Sequence, residues 1–200
     1  MVATIPIPFE LHITTSPLSA KAIPAFQAFC LKHQAKALLI ELDRGDFIEQ
    51  PMFNKVVYCN QLQEALQTAA ALSNEMQAND WPLKRLKIEI PAYLAGNLPL
   101  EPSGHQPYFE WHGKINGAVT SGLREICLVH KVHLSLNGLK RAEHFRFITL
   151  REYGPVTVFQ QRVAELKIDL SRSDWSLVKD IFEYCVYDTN VQLDKGWLPN

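Results

Sequence analysis

The 200-residue chain is 47% hydrophobic and 20% charged, with a formal net charge of −1. That supplies a sizeable core and excludes the dense basic field with which nucleic-acid binders neutralise phosphates. No stretch approaches the ~20 apolar residues of a membrane-spanning helix.

The start, MVATIPIPFELH, has neither the basic nor the apolar segment of a secretory signal. Cys30, Cys59, Cys127 and Cys185 form no CxxC pair, and each sits in or beside an apolar run. They read as buried, reduced thiols, which fits a cytoplasmic protein.

In chain order, FELHIT at 9–14 alternates apolar and polar residues, the pattern of a half-buried strand. Pro17 and Pro24 punctuate a loop and a helix start, and 25–33 reads as a helix with Phe26, Phe29 and Cys30 on one face. ALLIEL at 37–42 is a strand, 43–46 a turn, and a further strand lies near 52–58. Residues 61–77, rich in Ala, Leu, Gln and Glu, read as a second helix, and LKRLKIEI at 83–90 as a strand. Four prolines and two glycines between 91 and 107 block regular structure and mark a linker. Beyond it, strands are expected at 108–114, 132–137, 145–151 and 180–187, and helices at 119–130 and 156–170.

The halves echo each other. FELH at 9–12 is answered by FEWH at 109–112, CLKH at 30–33 by CLVH at 127–130, and DWPL at 80–83 by DWSL at 174–177. Leu42-x-Arg44 is answered by Leu139-x-Arg141. Matches kept in order over some ninety residues indicate an internal duplication. The expected fold is α+β: two ferredoxin-like βαββαβ lobes, 1–92 and 108–200, joined by a linker at 93–107 and related by a pseudo-two-fold axis. Their open sheet faces would meet around a polar cleft.

Strand alternation puts Glu10, His12 and Glu89 on the open face of the first lobe, and Glu110, His112, Lys114 and Glu183 on that of the second. The second strands disagree, with Leu38 and Ile40 where the other copy has Ser135 and Asn137. Carboxylate and imidazole together suit a divalent metal, with Glu10, His12, Glu110 and His112 as the candidate ligand set. They equally suit acid–base chemistry, with His12, His112 and His133 as candidates. They also serve as plain cross-strand or inter-lobe contacts. Glu10, Glu89, Glu110, Lys114 and Glu183 are the expected residues for a small polar or anionic ligand, with Arg146 and Arg151 as further anion contacts. His33 and His130, at helix ends, read as dipole-complementing caps. Trp81 and Trp175 read as packing anchors.

Two resemblances accompany these residues. His12-Ile13-Thr14 is similar to the HxT/S motif of two-histidine phosphoesterases, which would imply cleavage of phosphodiester bonds. Its repeat position reads His112-Gly113-Lys114, without the hydroxyl, and His133-Leu134-Ser135 fits HxS on another strand. FExHIT, KALLIEL, QPM, RLKIE, RFITLRE and VYDTNVQLDKGWL together resemble an uncharacterised, cyanobacterial-type family of bacterial proteins, which implies no catalytic residues. Three function classes stay open: a ligand- or metal-binding protein, a metal-dependent or phosphoester-cleaving enzyme, and an interaction protein pairing through sheet edges. The expected partners are a small molecule and, for a homodimer rather than a monomer, a second copy.

Overall fold

The computed structural model describes residues 5–96 and 106–197. The first half runs β1 (Ile7–Thr15), α1 (Ile23–Lys32), β2 (Lys36–Leu42), β3 (Glu49–Cys59), α2 (Leu62–Ala78) and β4 (Leu83–Pro91). The second runs β5 (Tyr108–Asn116), α3 (Ser121–Val129), β6 (His133–Asn137), β7 (Phe145–Glu152), α4 (Val156–Arg172) and β8 (Leu177–Asp188).

Each element follows from local chemistry. In β1, Phe9, Leu11 and Ile13 are fully buried and alternate with Glu10 and His12. In α2, Ala65, Ala69, Leu72 and Met76 form one buried stripe at helical spacing. Pro24 lies in the first turn of α1, where its missing N–H is no loss. The Thr120 hydroxyl starts α3 by accepting the Leu123 N–H at 3.2 Å.

The strands do not form two ferredoxin-like lobes with separate open sheets, and that expectation is corrected. All eight close into one antiparallel barrel in the order β1-β3-β2-β6-β7-β5-β8-β4, with β4 returning to β1. Two seams join the halves. Lys87–Pro91 pairs with Glu183–Asp188, and Ile40–Leu42 with Ser135–Asn137. The physical reason is the cost of an edge. Separate sheets would leave the outer N–H and C=O groups of β2, β4, β6 and β8 unpaired, and closure satisfies them. The expected cleft between lobes therefore becomes the inside of a barrel. Most of the expected linker, residues 97–105, lies outside the described residues.

The helices cover the outer face. One apolar cluster joins Phe9, Leu11, Ile13, Phe53 and Ile88 to Phe26, Phe29, Ala69 and Met76. A second joins Trp111, Ile115, Leu134, Ile148 and Leu150 to Leu123, Phe159, Val163 and Leu166. Gly113 sits in this second layer because a Cβ there would lie 2.2 Å from the Trp111 ring. After β8 the chain makes a short turn over Val191–Asp194 and ends the described region at Trp197, buried against Leu42 and Ile40. Gly45, at φ +120°, lets the turn after β2 approach this tail, where its Cβ would stand 3.1 Å from that of Trp197.

Candidate functional site

Eight-stranded barrels have an interior just wide enough to fill with side chains or to hold one small ligand. This one keeps a cavity of about 290 Å³, at the lower end of the ~300–1,000 Å³ typical of small-molecule pockets. Its walls differ. Leu38 and Ile40 on β2 and Met52 on β3 form an apolar stretch, with Phe147 and Ile181 apart from it on β7 and β8, while Glu10, His12, Lys87, Glu110, His112 and Arg151 supply polar side chains. Ser135 and Asn137 also face inward. The disagreement between second strands is thus no bulge: the same inward positions are apolar in β2 and polar in β6.

The two ends also differ. At one, Lys36 is exposed and Ile181 and Val56 are each 41% exposed, which makes a mouth. The other is closed by the tail. Asp194 accepts hydrogen bonds from Arg85 at 3.0 Å and Arg151 at 2.7 Å, Gln50 donates to the Leu193 carbonyl at 3.1 Å, and Trp197 donates to the Leu134 carbonyl at 3.2 Å.

Between mouth and tail runs a chain of buried ion pairs. Lys87 Nζ lies 3.0 Å from Glu89 and 2.8 Å from Glu110, joining the carboxylates of the two halves. Arg151 adds two hydrogen bonds to Glu110, at 2.6 and 2.9 Å. Arg85 grips Asp188 with two nitrogens, and the Tyr108 hydroxyl donates to the same carboxylate at 2.6 Å. Burial alone would raise the Glu110 pKa, but Lys87 and Arg151 outweigh it and hold the carboxyl well below its usual range. Arg85 and Tyr108 likewise overcome burial at Asp188 and hold it at about 2.

His12 Nε2 lies 2.8 Å from Glu89, and its Nδ1 is 3.3 Å from Asn54 and 3.1 Å from the Met52 sulfur. His112 Nε2 lies 3.3 Å from both Glu110 and Glu183, and its Nδ1 is 3.0 Å from the Thr149 hydroxyl. Asn54 also donates to Glu10 at 2.7 Å. Burial, then the charges of Glu89 and Glu10, push the Glu183 carboxyl well above the usual range.

The sequence-expected residues divide accordingly. Glu10, His12, Glu110, His112 and Glu183 line the chamber; Glu89 lies fully buried behind them, against His12 and Lys87. The four expected metal ligands fall into two groups, Glu10 and His12 with Asn54, and Glu110 and His112 with Glu183. The tightest set of ligand atoms is instead Glu89, Glu110 and His112, within 4.8 Å of one another. This set does not fit a metal ion, because the Lys87 ammonium already bonds both of its carboxylates.

Lys114 sits 3.4 Å over the Phe145 ring, and Arg146 donates to the Phe145 carbonyl at 2.9 Å. His133 is buried in β6, where Arg44 lies 3.0 Å from its Nδ1 and the Trp197 ring lies tilted beside it, 5.7 Å between centroids. Burial and then Arg44 push its pKa down to about 4. His33 and His130 tie helices together, through Glu75 at 3.1 Å and Asp169 at 2.9 Å. All four cysteines are buried thiols, with burial raising Cys30 and Cys127 to about 12.

Sequence reasoning missed Lys87 as the bridge, the Arg85–Asp188–Asp194–Arg151 chain and the apolar wall. Only the charge alternation of Arg85, Lys87 and Glu89 along β4 signalled any of them.

No protein-family model and no curated protein sequence matches the chain. Among solved structures it is similar to a "putative monooxygenase" from Lactobacillus acidophilus, with 9% identity over 97% of this chain and 100% of that one, at a TM-score of 0.33. It is also similar to a "novel heme-binding protein" from Thermus thermophilus, with 11% identity over 90% and 92% of the chains, at a TM-score of 0.29. Likeness at this level carries no argument about ligand or activity. No helix among the described residues is long and apolar enough to cross a membrane.

Proposed function

We propose that this protein is a receptor for one small amphipathic molecule, taken into the barrel through the mouth beside Lys36, Val56 and Ile181. The observation that carries this reading is the chamber itself: a closed barrel keeps about 290 Å³ free between an apolar and a polar wall. An eight-stranded barrel with no such task fills that space with side chains.

Binding is favoured over catalysis by the state of the two imidazoles. Each has both ring nitrogens against a neighbour: Glu89 with Asn54 and Met52 for His12, the Glu110–Glu183 pair with Thr149 for His112. A general acid or base needs a nitrogen within reach of the reacting proton. These rings are placed to orient carboxylates instead.

The test is to fill the chamber. Ile40→Trp projects an indole into it from the apolar wall. Ligands found by a thermal-shift screen of the wild type are expected to lose at least tenfold in affinity in this variant, with the far-UV spectrum unchanged. Undiminished binding would place the ligand elsewhere and end this reading.

A further inference from the structure

We propose that the chamber's ligand is an aliphatic carboxylate of medium chain length, its anionic head at the mouth beside Lys36 and its hydrocarbon laid down the inside of β2. This deepens the receptor reading above and rests on it.

The first argument is an apolar track that begins at a cation. Lys36, Leu38, Ile40 and Leu42 alternate along β2 and all line the chamber. Met52 on β3 stands directly opposite Leu38 and widens the track. Its far end is Trp197, packed on Leu42 and Ile40 and itself a chamber residue. At the rise of a strand the run from Lys36 to Leu42 is about 20 Å long. Leu38, Ile40 and Met52 are only half-buried, although Phe9, Leu11, Ile13 and Phe53 on the outer face of β1 and β3 are fully buried. Accessible apolar surface inside a closed barrel is surface that packing has left for an occupant.

The second argument is independent and concerns charge at the mouth. Beyond Ile181, the next inward position on β8 is Lys179, and Lys114 on β5 stands directly opposite it. Like charges in direct cross-strand register repel. Among the described residues no carboxylate oxygen lies within 4.0 Å of the Lys36, Lys114 or Lys179 ammonium. Lys114 instead lies over the Phe145 ring. Glu10 senses the charge of Lys36 but takes its hydrogen bond from Asn54 at 2.7 Å. The mouth is thus flanked by three cations without an ion-pair partner, two of them opposed, and an anion there relieves both conditions.

The interior fixes the orientation. Arg85, Lys87 and Arg151 are each bonded to two carboxylates already. A head group carried deeper would have to break one of these pairs, and it would meet Glu10, Glu110 and Glu183. The head therefore stays at the mouth and the chain goes in. A chamber of about 290 Å³ suits a medium chain rather than a long one.

The experiment is isothermal titration of the full chain with octanoate, 1-octanol and octylamine, three probes of one chain and different charge. Octanoate is expected to bind about fivefold or more tightly than the alcohol, and the amine more weakly than either. Raising salt from about 0.02 to about 0.3 M should weaken octanoate and not the alcohol. Lys36 is exposed, and its replacement leaves the core untouched. Lys36→Gln is expected to cost octanoate about threefold to fivefold and the alcohol nothing, and Lys36→Arg to retain binding. Ile40→Trp should abolish binding of both. Should the alcohol or the amine bind as well as octanoate, or Lys36→Gln leave octanoate unchanged, the anion assignment is wrong while the receptor reading stands. Octanoate that still binds to Ile40→Trp sits on surface lysines, which also ends the assignment. Should none of the three bind, the hydrocarbon has no seat in the chamber and both readings fall.

Discussion

Lys87 is held by two carboxylates from opposite halves of the chain, and little of its side chain reaches water. Lys87→Met would leave Glu89 and Glu110 facing each other unneutralised, so we expect a loss of about 3–5 kcal/mol in urea unfolding. Gly113 answers to packing rather than charge. Its substitution by Ala drives a methyl into the Trp111 ring, and about 1–3 kcal/mol is the expected cost by the same measurement. His133 sets a pH dependence. Its folded pKa of about 4 lies below the ordinary 6.5, so the unfolded chain takes up this proton first. The stability it contributes is complete above pH 6.5 and is lost as pH falls toward 4. His133→Gln should flatten that part of a plot of Tm against pH; an unchanged slope would mean the imidazole titrates as an ordinary one.

At the scale of elements, the tail behaves as a stopper, and Asp194 is its fastening. One carboxylate serves two buried guanidiniums, on β4 and β7. Asp194→Ala leaves both short of a partner, and we expect a loss of about 3–5 kcal/mol. The Trp197 indole should become more exposed at the same time, seen as a red shift of its emission. The strands and helices themselves were legible in the letters, because alternation in FELHIT and the spaced Ala, Leu and Met of 65–76 report directly on period. Glu10, His12, Glu110 and His112 were legible too, since one motif recurs a hundred residues apart. Lys87 and Arg151 were not. What matters about them is which carboxylate they meet, and partners 23 and 41 residues away leave no mark on the local pattern. Among the expected metal ligands the same holds: Glu and His were visible, and the Lys87 ammonium placed among them was not.

At the scale of the molecule, sequence pattern pointed to two sheets and the structure has one ring. Alternation tells which face of a strand is buried, but says nothing about what pairs with its edge. β2 and β4 each find their outer neighbour in the other half, as β6 and β8 do in return. Two outcomes follow. Unfolding of the whole chain should be one transition, with far-UV and tryptophan signals coincident. A fragment of residues 1–92, with two bare edges, should associate in sedimentation experiments; a well-folded monomeric fragment would contradict the dependence on closure.

The ring is not equally strong all round. β6 has five residues and pairs through three on either side, while β5 pairs through eight on each. Sub-global opening selects the least-bonded part of a structure, so the breathing of this barrel is concentrated at one stave. Amides of 133–137 should exchange with deuterium sooner than those of any other strand. Ser135 and Asn137 are also chamber residues. An occupant spanning the cavity would therefore clamp the loose stave, and its arrival would register as slowed exchange in β6.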